Sequence, residues 1–391
     1  MLIERLHLTN LLSYGPDAEP VELGALNVLI GPNGSGKSNF LEALSLLQAA
    51  PVEVTRPIRD GGGIRDWLHK PVARRHSSIP ARLEAILRYP EFKKNLRYAI
   101  EFEEEGGRFA IRDEVVENEK PGYNHTVPFF YYRWNDGHPK LYVKEFGERK
   151  LDRESIRPDQ SILKQKRDTD LYPEITYVAE QFEQMRLYRE WTFGRYATPR
   201  LPQKTDLPNE TLETDASNLG LILNRLRRNL DTRRKLLDAL RVIYEGIDDV
   251  DVSVEGGNVQ VFLMERCGQI PATRLSDGTL RYLALLTLLC DPTPPPLVCI
   301  EEPELGLHPD VLPTLAQLLR DASERTQLVV TTHSPILVDA LSETPEAVLV
   351  CERDESGSHL TRLNGDELKP WLEKYRLGQL WTRGDLGGTR W

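Results

Sequence analysis

The sequence predicts an α/β fold: a mixed central sheet with helices, carrying a phosphate-binding loop, joined to an antiparallel β lobe and a helical insertion. Three observations carry this. The apolar run "LNVLI" at Leu26–Ile30 feeds a glycine-rich turn, "GPNGSGKSNF", that opens a helix with apolar Phe40, Leu41, Leu44 and Leu47. Two more apolar runs, "LVCI" at 297–300 and "QLVV" at 327–330, stop at polar residues, as buried parallel strands do at their C-terminal edge. Between these anchors the hydrophobic period changes from two to that of a helix.

In chain order, residues 1–50 read as strand, strand, phosphate loop and helix. Residues 51–76 are basic and punctuated by Gly and Pro, which predicts a long surface loop. Period-two segments follow: "LRYAIEF" and "RFAIRDEVV" flank "EEEGG", and "PFFYYRW" and "KLYVKEF" flank "NDGHP", each an antiparallel hairpin. From about 160 to 245 the period is helical, with Leu219, Ile222, Leu223, Leu226, Leu230, Leu237 and Leu240 on one apolar stripe, or on two if the helix breaks near Asp231. The opposite face holds Arg225, Arg227, Arg228, Arg233, Arg234 and Lys235; a charge-rich face is ordinarily a solvated one, and contact with DNA is the alternative. A further hairpin, "DVDVSV" and "VQVFLM" around "EGGN", precedes alternating helices and strands to the end. The expected division is a core from 1–50 and 246–391, a β-rich lobe with the basic loop at 51–160, and a helical subdomain at 161–245.

The chain has 391 residues, ample for a buried core. Its net charge of −10 gives no global attraction to nucleic acid or anionic membrane, so any DNA site is a local patch. Cys267, Cys290, Cys299 and Cys351 are too dispersed for a zinc pair and read as small core residues of a reduced cytoplasmic protein. The N-terminus "MLIERLHLTN" is charged where a signal peptide is apolar, and "LALLTLLC" falls short of the ~20 residues that span a bilayer, so no membrane contact is expected.

The chemistry lies in two distant clusters. Gly31, Pro32, Asn33, Gly34, Ser35, Gly36, Lys37, Ser38 and Asn39 fit G-x-x-x-x-G-K-[ST] between a strand and a helix. Glycines let successive backbone N–H groups converge on an anion, and the helix N-terminus adds partial positive charge. Lys37 reaches the β- and γ-phosphates of ATP, and Ser38 ligates Mg²⁺. The second cluster begins at "LVCIEEPELGLHP", where a buried strand ends in Glu301 and Glu302; one carboxylate can hold Mg²⁺ and the next can polarise water. "LSDGTLRYLALLTLL" lies upstream, a Ser-x-Gly turn opening an apolar helix, and "QLVVTTHSP" lies downstream, a strand ending at His333. Alone, an acidic loop or a histidine after a strand is ordinary; following a phosphate loop in this order, the set is far more specific.

In that order the chain resembles an ABC-type P-loop ATPase head of the SMC, RecF and overcoming-lysogenisation kind, most like the stand-alone bacterial AAA-family ATPases. Gly31 to Ser38 resembles Walker A, "LSDGT" at 275–279 the ABC signature, "LVCIEE" Walker B with the catalytic glutamate, "PELGLHP" the D-loop and His333 the switch histidine. Glu301 stands where Walker B usually has Asp, and the signature lacks its second Gly while keeping Ser276 and Gly278. For the Q-loop, "DQSILKQ" offers Gln165 and "AEQFEQM" offers Gln181; Gln165, after the hairpin lobe, is taken as the metal-side residue.

The resemblance implies a homodimer formed on ATP binding, in which Ser276 and the Gly278 backbone of one head close over the other's γ-phosphate. Glu302 then activates water and His333 holds the γ-phosphate. The output is expected on DNA or on a separately encoded effector such as a TOPRIM-type nuclease, in genome maintenance or anti-phage defence. The alternatives are the motor subunit of a membrane transporter, which the D-loop wording disfavours, and a low-turnover nucleotide-dependent scaffold, which Glu301 makes conceivable.

Overall fold

The strand that feeds the phosphate loop lies inside a parallel sheet buried on both faces. The computed structural model describes residues 1–70, 79–90, 94–135, 138–152, 156–266 and 268–388. Among them, numbered in chain order, β3 (Leu26–Ile30) is flanked by β16 (Gln327–Thr331) and β17 (Val348–Arg353). Beyond β16 lie β15 (Leu297–Glu301) and β10 (Arg186–Tyr188), and beyond β17 lies β18 (Ser358–Arg362), whose antiparallel pairing makes the sheet mixed. Side chains alternate between two cores. Leu29, Leu297, Cys299, Val329 and Leu349 face one; Val28, Ile30, Val298, Ile300, Leu328, Val330, Val348 and Val350 face the other. That is why these strands read as unbroken apolar runs.

The first core is roofed by an antiparallel sheet in the order β2 (Val21–Glu22), β1 (Ile3–Thr9), β4 (Ala81–Tyr89), β5 (Lys94–Glu105), β6 (Arg108–Asn118), β7 (Phe130–Asn135), β8 (His138–Val143) and β9 (Gly147–Lys150). Between the sheets run α1 (Lys37–Glu53), α4 (Ile162–Gln165) and α5 (Pro173–Gln184). Buried Gln327 fastens the two sheets: its carbonyl accepts from the Leu2 and Ile3 amides at 3.0 and 2.8 Å, and its amide donates to the carbonyls of Ile3 and Gly24. The second core is covered by α6 (Leu219–Leu226), α7 (Leu230–Ile243), α8 (Asp277–Leu289), α9 (Leu312–Ser323), α10 (Pro335–Asp339) and α12 (Leu377–Arg383), with α11 (Gly365–Leu372) at its margin. A small sheet of β11 (Gln203–Lys204), β13 (Asn258–Glu265) and β12 (Ile247–Glu255), with β14 (Gly268–Pro271) on β13, completes that side.

The expected hairpins form as β5–β6, β7–β8 and β12–β13. In the last, Gly256 and Gly257 take positive φ of 56° and 75°, the turn geometry the paired glycines supply. Elsewhere the structure departs from the sequence reading. Residues 51–67 are not a loop: α1 continues through Pro51, and α2 (Thr55–Asp60) and α3 (Ile64–Trp67) follow, burying Ile58, Ile64 and Trp67. Pro51 sits in the last turn of α1, where its ring nitrogen cannot donate to the Leu47 carbonyl, and its own carbonyl accepts from Arg167 at 2.9 Å. The division at residue 50 is crossed by β1, which pairs with β4, and that at 161–245 by β10, which pairs with β15. The helical break falls at Asn229, whose side chain caps α7 by accepting from the Thr232 amide. The stripe restarts on Leu236, Ala239 and Leu240, leaving Leu230 exposed.

Both basic faces are partly neutralised from within. Arg225 pairs with Asp291, Arg227 with Asp251 and Arg233 with Asp249; Arg59 pairs with Glu53, Arg65 with Glu104 and Arg56 with Asp60. Arg74 and Arg75 of the expected basic loop, and Cys267, lie outside the described residues. Cys290, Cys299 and Cys351 are buried free thiols. Among the described residues no helix is long and apolar enough to cross a membrane.

Candidate functional site

At the C-terminal edge of β3, the backbone of the glycine-rich turn is set by residues that tolerate no Cβ. Gly31, Gly34 and Gly36 take φ of 147°, 80° and 115°. A Cβ on Gly31 would overlap the Cys351 carbonyl, and one on Gly36 would overlap the Ser358 hydroxyl. Gly36 caps α1 without any side-chain acceptor, and the first turn holds no acidic residue, so its N–H groups stay available to an anion. Pro32 accepts from the Ser35 amide, closing the turn; Asn33 and Gly34 are exposed at its tip, and Asn39 is half-buried on α1. The buried Ser35 hydroxyl has no partner in the protein, although its carbonyl accepts from the Cys351 thiol at 3.2 Å.

Lys37 is buried with its ammonium folded back on the loop, 2.7 Å from the Gly31 carbonyl and 3.1 Å from that of Pro32. Burial pushes its pKa down, against the pull of Cys351, Glu302 and Glu301. Ser38 donates to Glu301 at 2.7 Å across the gap between α1 and β15. A hydroxyl and a carboxylate converging beside phosphate-binding amides suit Mg²⁺, which takes one or two protein oxygens and fills its octahedron with phosphate and water. No group of three or more His, Cys, Asp or Glu capable of holding a metal occurs among the described residues.

Glu302, immediately after β15, has φ of +46°, in the left-handed region that a residue with a long side chain rarely occupies. Its amide donates to the Thr331 carbonyl at 3.0 Å, holding it at the end of β16. Its carboxylate lies 3.5 Å from His333 Nε2. Burial and the neighbouring Lys37 hold the His333 pKa below the ordinary histidine value, so the ring is neutral at pH 7 and can donate one hydrogen bond. Glu304 sets this turn, since one of its oxygens accepts from the Thr332 hydroxyl at 2.6 Å and the His333 amide at 2.8 Å; the other is buried without a partner.

The signature loop is held differently. Ser276 caps α8, accepting from the Thr279 amide at 3.0 Å. Gly278 is required by a close approach, because a Cβ there would overlap the Gly306 carbonyl. Asp277, where the sequence pattern lacks a glycine, pairs with Arg200. The Arg200 side chain is only 5% exposed and also donates to the carbonyls of Phe193, Ala272 and Leu275. It therefore fixes the turn from beneath and neutralises the Asp277 carboxylate.

Ser38, Glu301, Glu302 and His333 come together at the ends of adjacent strands. Gln165 does not join them. Its carbonyl accepts from the Arg157 amide and its amide donates to Gln160, so the side chain closes a local turn. The position beside Glu301 belongs instead to Arg189, at the end of β10, which donates to Glu301 at 3.0 Å and to Glu42 at 2.7 Å. Arg189, Arg200 and Glu304 escaped sequence reasoning, because their partners lie far along the chain. Glu42 carried a usable signal, four residues after Ser38 and thus on the same face of α1.

Comparison with known proteins bears on the family and the fold. A family model described as "AAA domain, putative AbiEii toxin, Type IV TA system" matches residues 26–339. Solved structures with the same fold include an Smc head bound to the C-terminal winged-helix domain of ScpA (TM-score 0.60, 14% identity, 94% of this chain and 99% of that one). Others are the Pyrococcus furiosus Smc head with an extended coiled coil (0.58, 13%, 96% and 99%) and the Pyrococcus yayanosii Smc head with a coiled coil and joint (0.53, 11%, 96% and 99%). No curated protein matches the chain.

Proposed function

Because the chain belongs to this AAA-domain family and folds as an ATPase head of the SMC kind, we propose that it hydrolyses ATP at the 31–39 loop and closes head-to-tail on a second copy of itself. The observation that carries this is the convergence of Ser38, Glu301, Glu302 and His333 beside the loop. Ser38 and Glu301 would hold Mg²⁺, which when bound neutralises charge developing on the phosphoryl oxygens. Lys37 exchanges the Gly31 and Pro32 carbonyls for phosphate oxygens. Glu302 orients a water and takes its proton as the water oxygen attacks the γ-phosphorus and ADP leaves. Neutral His333 donates to the γ-phosphate. Ser276 of the second copy, at the N-terminus of its α8, closes the open side.

The paired arginines on α6 and α7 and in α2–α3 favour a protein as the recipient of the dimer's output over DNA, since carboxylates already pair with six of those cations and leave Arg228, Arg234 and Lys235 as the exposed remainder. A separately encoded effector, such as a TOPRIM-type nuclease, fits that reading. The Smc heads, two of which are bound to a domain of ScpA, offer a parallel for a head that engages a protein.

Glu302→Gln with ATP tests the proposal. ATP affinity should stay within about twofold while turnover drops by about 10²-fold or more, and light scattering should detect a dimer. Adding Ser276→Arg should return it to monomer without loss of ATP binding. A Glu302→Gln protein that binds ATP and stays monomeric overturns the head-to-tail arrangement.

A further inference from the structure

We infer that Arg189 is a resident counter-cation of the metal position, and that the divalent cation engages Glu301 only as this guanidinium swings away. The inference rests on the Mg²⁺–nucleotide reading of the site and assigns it two more residues, Arg189 and Glu42. Main-chain register puts the arginine there. β10 pairs in parallel with β15, Leu187 opposite Cys299 and Tyr188 opposite Ile300, so the next residue arrives level with Glu301.

The side chain then closes a ring. Its Nε donates to Glu301 Oε2 at 3.0 Å and a terminal nitrogen donates to Glu42 Oε1 at 2.7 Å. Glu301 Oε1 accepts from Ser38 at 2.7 Å, and Ser38 and Glu42 stand one turn apart on α1. Both oxygens of Glu301 are therefore engaged, one by a hydroxyl and one by a cation. The extra methylene that distinguishes Glu301 from aspartate gives it the reach to touch both. All three charged side chains are about three-quarters buried, at 25% exposure for Arg189, 26% for Glu42 and 20% for Glu301, so their charges are poorly screened. A divalent ion brought to Glu301 meets the guanidinium at close range and must displace it or bind more weakly. A lysine could not hold the same ring, because it lacks the planar fork that spans two carboxylates.

The displaced group has somewhere to go. Arg189 and Glu42 line an open groove of about 630 Å³ between α1–α2 and the end of β10, and the same groove carries Glu53, Glu190 and Glu213. A guanidinium turned into it exchanges one set of carboxylates for another. The metal-free site is thus partly neutralised and held in shape, and the metal's affinity is set low enough that nucleotide phosphates are needed to complete its binding.

The test titrates Mn²⁺, as a paramagnetic stand-in for Mg²⁺, into the full chain with a non-hydrolysable ATP analogue, reading free Mn²⁺ by electron paramagnetic resonance. Affinity of a fluorescent ATP analogue is measured separately with EDTA present. Arg189→Gln should bind Mn²⁺ about threefold or more tightly than the unaltered protein, with nucleotide affinity in EDTA unchanged within about twofold. Arg189→Met, which cannot hydrogen-bond, should do the same and covers the case in which the first variant misfolds. Unchanged Mn²⁺ affinity makes Arg189 a plain structural ion pair, and weaker Mn²⁺ binding makes it a support for Glu301; either overturns the inference. If the unaltered protein shows no nucleotide-dependent Mn²⁺ binding at all, the underlying reading of the site fails instead.

Discussion

The phosphate-loop cluster and the signature loop differ in how completely they are satisfied. Around the loop, Lys37 is spent on its own main chain, Glu302 sits in a left-handed backbone, and Ser35 and Glu304 each leave a buried oxygen unpaired. In the signature loop Ser276 makes a regular N-cap with φ of −68°, and Arg200 ties off three carbonyls and the Asp277 charge. The first region holds partners in reserve that a phosphate and its metal can supply. The second is a finished template with nothing left to rearrange. In the proposed head-to-tail dimer, a site divided this way would put its conformational change on the chain that binds nucleotide and present a rigid cap to the other copy.

The largest expected effect tests the unfinished side. Lys37→Ala should weaken ATP binding by about 100-fold, the worth of a charge-assisted contact to phosphate, as read by fluorescent-nucleotide titration. Unaltered affinity would mean that Lys37 belongs to the loop's own architecture, and the comparison would collapse. A smaller effect tests the finished side. Arg200→Met strands the Asp277 carboxylate and frees the turn, so kcat should fall by about tenfold while nucleotide affinity in the monomer is unchanged. Asp277→Asn in that background should restore part of the turnover, because it removes the unpaired charge. Equal loss of affinity and kcat in Arg200→Met would place the signature loop within the nucleotide-binding region of its own chain.

How much of this could be read from the sequence follows the range of the interactions. The strand–loop–helix around Gly31, the strand end at Glu301 and the paired-glycine hairpin at 256–257 are written in contiguous residues, where period and turn chemistry act locally. The pairing of β1 with β4 rather than β3 was not legible, since neighbours in a sheet are chosen by the whole fold. Pro51, Pro57 and the run Gly61 to Gly63 disguised α1's last turn, α2 and α3, whose helical state is sustained by burying Ile58, Ile64 and Trp67. Arg189 was hidden because β10 is three residues long, too short for any periodicity, and because Glu301 is far downstream. Gln165 misled for the complementary reason: the residue type suited the role, but its amide groups were already committed to Arg157 and Gln160.

The smallest effect is the sharpest test of the contrast, because it uses stability alone. A glutamate held at φ of +46° costs about 1 kcal/mol relative to a residue that tolerates the left-handed region. Asparagine is such a residue, so Glu302→Asn should unfold at a slightly higher temperature than Glu302→Gln, which loses the same charge but keeps the strain. In a chain of this length the gain is about 1–2 °C. Ser276→Ala should do the opposite, losing about 1 kcal/mol with the N-cap it removes. Thermal unfolding of the three variants without nucleotide would read both signs at once. Opposite shifts mean that strain is stored where the chemistry is proposed and absent where the partner's phosphate would be capped. If Glu302→Asn melts no higher than Glu302→Gln, the left-handed turn after β15 is carried at no cost by the Thr331 carbonyl that accepts from its amide, and the two regions are equally relaxed.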